Sequence, residues 1–589
     1  MAMKFSLPWI KPDPERDGFQ VPKSAQQSIP IKRIYKDGVF QVAGKFSKTW
    51  RFSDINYAVA SMERQQQMLL AWCTVINMLP TNVTSKISLI NHKMDRKEFE
   101  TTQLMALEGD RLDHYREEYN EVVEEKARES NDMIREMFIT VSVEKKTVEE
   151  AKAFFQRLEV DLSGGLRQLD SHLQELTLEE RLRLFHDFFR PKEQEFSFDL
   201  KDYIRKGHDF KDAVAPECIE FKKDRFELGD QVGRVLFLRE YANFIKDDLI
   251  SQLADLPKNM VLSLDLIPEP TDKAIKEVQK KIMAVETDIS RWQTRQNMNN
   301  QFSANIPYEL EQARSVTKEI MDDITVRDQH MIHGLLTITH LADTEEELDE
   351  DTETIRSVAG SHGNCQIGIL KWQQEDGLNT CLPYGLRRID VMRALTTESV
   401  AVMTPFRSQE IRHKGGVYYG VNAVSHNLIL CNREELLNGN GFILGVSGSG
   451  KSFAAKQEIT SIALGTDHDI IVVDPEREYG SLIHALGGEV IAISANTSNH
   501  INALDISAEY GEGSNPLVLK SEFVMSLCQQ LQHGPIEPGD KSIIDRCLEH
   551  IYEDYLKTYE GNAPTLLDLY YDLLKQPEPE AHRLGLALE

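Results

Sequence analysis

Three observations place the chain in the α/β class, with a two-part α+β region ahead of the α/β core. A glycine-rich turn stands between an apolar run and a helical pattern at 441–459, "GFILGVSGSGKSFAAKQEI". A strand–turn–helix pattern occurs at 138–158 and returns at 335–360 with the same internal spacing. From Pro516 onward only helical periodicity remains.

In chain order, residues 1–30 carry Pro8, Pro12, Pro14, Pro22 and Pro30 without periodicity, which predicts an extended arm. Residues 31–215 form the first half of the α+β region. "GVFQVAG" and "TWRFSDI" alternate as strands, the stretch from Asn56 to Leu79 is helical, and "SKISLINH" is a strand again. Mixed charge at helical spacing over 96–136 predicts a solvated helical hairpin or one long helix. "FITVSVEKKTVEEAKAFFQRL" then gives a strand, a turn, a Thr147–Glu150 capping box and an amphipathic helix.

Residues 216–402 form the second half. A hairpin is expected at 225–241, a strand ended by proline at 259–268 and a long charged helix at 271–301. In "LLTITHLADTEEELDEDTETIRSVAG", Thr344 and Glu347 repeat the capping box, which suggests a duplicated module. The acidic run Glu345–Glu353 reads as a solvated helix face. The segment 404–422, in which Gly415–Gly416 precede new strand signals, marks a boundary, and 403–515 is the core domain, with strands expected at 442–444, 469–474 and 489–494. Residues 516–589 are the helical remainder.

A chain of 589 residues exceeds what one core holds, so three or four domains are expected. The net charge of −28 repels phosphate backbones and makes nucleic acid a poor default partner, although a ring of subunits concentrates scattered lysines. Seven cysteines without a C-x-x-C pair argue against a disulfide framework or a zinc site and fit a reducing cytosol. The amino terminus lacks a signal-peptide pattern, and the most apolar stretch, 68–80, is too short to span a bilayer.

The turn matches G-x-x-x-x-G-K-[ST] in full: Gly445, Val446, Ser447, Gly448, Ser449, Gly450, Lys451, Ser452. Small residues let successive backbone N–H groups converge on a phosphate, and the following helix adds its dipole. ATP with Mg²⁺ is the expected ligand, Lys451 reaching the β and γ oxygens and Ser452 ligating the metal. "DIIVVDPEREYG" at 469–480 ends an apolar run in acids. It reads either as a Walker B strand, with Asp474 on Mg²⁺ and Glu476 activating water, or as the neighbouring strand of the sheet, whose end approaches the nucleotide.

The strings "GVYYGVN", "LLNGNGFILGVSGSGKSF", "IIVVDPEREYGSLIHALGG" and "INALDI" resemble the VirB/TraC-type ATPases of conjugative type IV secretion machines, in the HerA/FtsK superfamily. Residues 291–331 resemble versions on Gram-positive mobile elements. The resemblance implies a RecA-like P-loop motor with a helical insertion, preceded by a two-part domain held against secretion-apparatus subunits at the inner face of the membrane. It also implies a cytoplasmic hexameric ring, possible contact with a coupling protein, and phosphate-site roles for Phe453, Asp474 and Glu476 beside the loop. The family's Walker B segment lies beyond its helical insertion, so a chain continuing past Glu589 is expected. The function implied is ATP hydrolysis powering assembly or transfer of DNA or protein. The alternatives are a HerA/FtsK-like DNA translocase or a nucleotide-binding scaffold.

Overall fold

A computed structural model of the chain describes residues 24–589 except 82, 95, 131–132, 192–195, 242–246, 299–304, 362–364, 495, 498, 508–509, 511–514 and 533–534. Most of the arm expected at 1–30 therefore lies outside the described residues. The chain up to Ile471 forms one compact unit and Val472–Glu589 a second.

The first unit is built on a 13-stranded sheet. Its first half contributes β1 (Ile31–Ile34), β2 (Phe40–Val42), β3 (Lys45–Phe52), β4 (Thr84–Lys93) and β5 (Met133–Val143), with β6 (Leu173–Glu175) paired to β3. The second half contributes β7 (Ile219–Phe221), β8 (Phe226–Leu228), β9 (Gln231–Glu240), β10 (Met260–Pro268) and β11 (Met331–Ala342), with β12 (Gln366–Ile369) on β9 and β13 (Arg393–Thr396) on β11. The order β1-β2-β3-β5-β4-β10-β11-β9-β8-β7 reads the same from either end: β1 to β6 each have a counterpart in β7 to β12, and β13 alone is added in the second half. The halves meet where β4 pairs antiparallel with β10, Ser88 opposite Ser263 and Lys86 opposite Asp265.

The intervening helices repeat as well. Between β4 and β5 lie the helices Arg96–Gln103 and Asp113–Glu129, and between β10 and β11 lie Thr271–Met298 and Tyr308–Thr325. After β5 and after β11 comes a helix whose cap is a threonine. Glu150 N–H donates to Thr147 Oγ1 at 3.3 Å and Glu347 N–H to Thr344 Oγ1 at 3.2 Å. Each glutamate carboxylate accepts in return from the residue before the cap, Lys146 or Asp343. Two N–H donors at each helix start are thus satisfied by the same local chemistry.

Both faces of the sheet are covered. Helices Met62–Asn77, Val148–Arg167 and Glu345–Ser361 close one face over Trp50, Trp72, Phe155, Leu262, Ile338 and Ile355. The other face is closed by Leu178–Phe189 and Gln374–Cys381, with Phe185 stacked on Tyr384 at 4.4 Å between ring centroids. Under the loop after Cys381 the strands present polar residues, because irregular buried backbone needs partners. Lys86 Nζ donates to the Thr380 carbonyl, and Ser263 Oγ donates to that of Cys381 at 2.6 Å.

The second unit is helical where it is regular. Helices Pro516–Gln532, Pro538–Tyr552, Leu566–Lys575 and Pro579–Leu588 pack around Leu504, Ile544, Cys547, Tyr552, Leu573 and Leu584. Arg583 Nη2 donates to both oxygens of the buried Asp540, each at 2.6 Å. The whole chain is mixed α and β. The parallel α/β sheet expected within 403–515, however, does not form among the described residues. The runs at 442–444, 469–474 and 489–494 pair with no neighbour, and Phe442, Leu444, Ile471 and Val473 are each almost fully exposed. A strand is stable only with a partner for its N–H and C=O groups, and these apolar runs have none.

Candidate functional site

The phosphate-loop motif is mounted on the first unit. After β13 the chain runs through residues 404–412 into an antiparallel hairpin of β14 (Val417–Val421) and β15 (Leu428–Cys431). The entry is clasped by the turn after β3. Asp54 accepts from the N–H groups of Arg407 at 2.8 Å and Ser408 at 3.3 Å, and Asn56 Oδ1 accepts from Gln409 N–H at 3.0 Å. Arg407 also pairs with Asp255, which Arg135 engages at 2.7 Å. Asp54, Arg135, Asp255 and Arg407 line a cavity of about 530 Å³. Burial pushes the Asp54 carboxyl up to about 6, against the pull of the N–H groups it accepts and of Arg135.

The hairpin carries the loop helix, Lys451–Gly465. Tyr419 Oη donates to Glu458 Oε1 at 2.5 Å, and Arg433 reaches the same carboxylate with Nε at 2.6 Å. Arg433 Nε also donates to Tyr419 Oη at 2.9 Å, and its Nη1 to the Gly439 carbonyl at 3.2 Å, on the approach to the loop. Burial pushes the Tyr419 phenol up to about 12, so it stays a donor. Arg433, Tyr419 and Glu458 were not singled out from the sequence. Their roles come from a hairpin and a helix meeting, and no local spacing encodes that.

In the loop itself, Gly448 and Gly450 adopt φ of +78° and +92°, conformations that a side chain resists. Gly450 stands at the N-cap of the helix, and Ala454 N–H closes the first turn on its carbonyl at 2.9 Å. Lys451 Nζ donates to the carbonyls of Gly445 at 2.7 Å and Val446 at 3.2 Å, so the ammonium lies against the loop that precedes it. Left-handed glycines, a helix N-terminus and a cation on one eight-residue turn suit the oxygens of a polyphosphate. Val446 and Phe453 are largely exposed beside it.

Thus Gly445, Val446, Ser447, Gly448, Ser449, Gly450, Lys451, Ser452 and Phe453 are brought together, as contiguous sequence requires. Asp474 and Glu476 belong to the second unit. There Asp474 Oδ2 accepts from Tyr479 N–H at 2.9 Å, ahead of the helix Gly480–Leu486. That N–H, first among several in the turn, holds the Asp474 carboxyl below its ordinary value. Among the described residues no group of three or more His, Cys, Asp or Glu side chains gathers as a metal site. No helix among them is long and apolar enough to cross a membrane.

Residues 434–566 match the family described as helicase HerA, central domain. The match takes in the whole phosphate loop and the helical segment from Pro516 as far as Leu566. It makes this part of the chain similar to P-loop ATPases of the HerA/FtsK type. No curated protein matches the sequence.

Proposed function

We propose that the chain is a nucleotide-driven motor subunit, an ATPase that powers assembly of, or DNA or protein transfer through, a conjugative type IV secretion machine. The observation that carries this reading is the mounting of the phosphate-loop helix on the repeat-built α+β unit through Glu458, Tyr419 and Arg433. A motor needs such a connection between its nucleotide and the part that does work.

In this reading Lys451 exchanges its two loop carbonyls for phosphate oxygens, and the loop N–H groups hold the β-phosphate. The Ser452 hydroxyl would hold Mg²⁺, which would supply positive charge against the phosphates. Phe453 lies beside the nucleotide. The subunits form a hexameric ring that sits peripherally at the cytoplasmic face of the membrane, held there by apparatus subunits, with a coupling protein as a further partner.

The family match favours a second reading, a HerA-like translocase that pulls duplex DNA through its own ring. The net charge of −28 weighs against it. Phosphate release measured with and without duplex DNA separates the two. Hydrolysis abolished by Lys451→Ala and indifferent to DNA supports the secretion ATPase. Stimulation by DNA that disappears at high salt supports the translocase. ATP binding without phosphate release contradicts both and leaves a nucleotide-binding scaffold.

A further inference from the structure

The helix that begins at Lys451 ends in a grip supplied by the first half of the repeat. The last carbonyls of a helix have no partner within it. Here the carbonyl of Leu464 accepts from Arg116 Nε at 3.0 Å, and Arg116 belongs to the helix Asp113–Glu129, inserted between β4 and β5. The Arg116 side chain is only 3% exposed. Its Nη1 meets Asp110 Oδ1 at 2.7 Å and Asp113 Oδ1 at 2.8 Å, and its Nη2 meets Glu108 at 3.0 Å.

One guanidinium held by three carboxylates exceeds what charge neutralisation requires. The surplus fixes its plane, so that Nε can point only at the helix end. Tyr119, farther along the same helix, accepts from Tyr418 N–H at 3.1 Å and engages Ser461 of the loop helix. Met105 packs against Gly465. Phe99, Val123 and Ala127 bury against Leu428 and Leu430 of the hairpin.

Lys451 and Leu464 stand at opposite ends of one continuous helix, about 20 Å apart at 1.5 Å per residue. A helix moves as a rod, so a shift at its phosphate end is felt at its clasped end. We propose that Arg116 is a positioning residue for the phosphate loop, setting the loop helix and coupling nucleotide occupancy at 445–452 to the helical insertion 96–129 of the first repeat. The inference rests on the reading of 445–452 as a nucleotide site. Because coupling is reciprocal, it shows at both ends: nucleotide alters the insertion, and loss of the clasp alters nucleotide affinity.

The test pairs binding of a fluorescent ATP analogue with Mg²⁺ to hydrogen–deuterium exchange of the wild type, Arg116→Lys and Arg116→Ala. In the wild type, nucleotide slows exchange at 445–454 and also at 105–116. Arg116→Ala weakens binding about tenfold and removes the response at 105–116 while keeping the one at 445–454. Arg116→Lys, a cation that cannot reproduce the fork, restores only part of both. The wild-type exchange experiment stands even if Arg116→Ala fails to fold. Nucleotide bound by the wild type with exchange at 105–116 unmoved overturns the coupling and leaves the nucleotide site intact. No nucleotide bound by the wild type overturns the site, and the coupling with it.

Discussion

Lys86 Nζ lies 2.7 Å from Asp265 Oδ2 across the β4–β10 pairing, both side chains fully buried, and the pair bridges the two halves of the repeat at their seam. Removing one partner leaves a buried charge with nothing opposite, which costs far more than the pair contributes. Lys86→Met therefore destabilises the first unit by about 3–5 kcal/mol, and Lys86→Met combined with Asp265→Leu recovers most of the loss. Urea unfolding followed by fluorescence of the buried Trp50 and Trp72 measures both. A single variant as stable as the wild type contradicts the assignment.

At the site, Arg433 ties Glu458 of the loop helix to Tyr419 and to the Gly439 carbonyl. Arg433→Ala frees the approach to the loop without touching the sheet. Nucleotide affinity is expected to fall about five- to thirtyfold, the equivalent of about 1–2 kcal/mol, with the melting temperature of the first unit unchanged. Titration with a fluorescent nucleotide reads the first and calorimetry the second.

Gly450 holds φ of +92° in open space, so a methyl group there meets no atom but must take a left-handed backbone. Gly450→Ala costs the loop about 1–2 kcal/mol and weakens nucleotide binding by a similar factor to Arg433→Ala. Equal affinity in the variant shows that the loop binds in another conformation.

Asp54 gives a pH signature. Its carboxyl is raised from 3.8 to about 6 by burial, so between these values the folded chain holds a proton that the unfolded chain has released. Its contribution is thus fully present below about 4 and declines as pH rises to about 6. The melting temperature of the wild type minus that of Asp54→Asn is expected to fall over this window and stay flat from pH 7 to 8. A difference that rises with pH contradicts the sign.

What the sequence made legible was local. The phosphate loop is eight consecutive residues, and its glycine conformations follow from its spacing. The repeat was visible because Thr147–Glu150 and Thr344–Glu347 each encode a helix start within four residues. The matched strand order was not, since pairings such as β4 with β10 join residues far apart in sequence. The helices within 96–129 read as solvated because charged residues outnumber Val123 and Ala127, and a buried Arg116 looks like any exposed arginine. Conversely, the runs at 442–444 and 469–474 have strand composition, yet composition cannot supply the neighbour a strand needs.

The most direct test of the account is a calorimetric titration of Mg²⁺-ATP into the wild type and Lys451→Ala, whose ammonium is held on the Gly445 and Val446 carbonyls. The account predicts one nucleotide per wild-type chain and binding lost or greatly weakened in the variant, with both proteins melting alike. A wild type that takes up no nucleotide, or a variant that binds it equally well, contradicts the central claim.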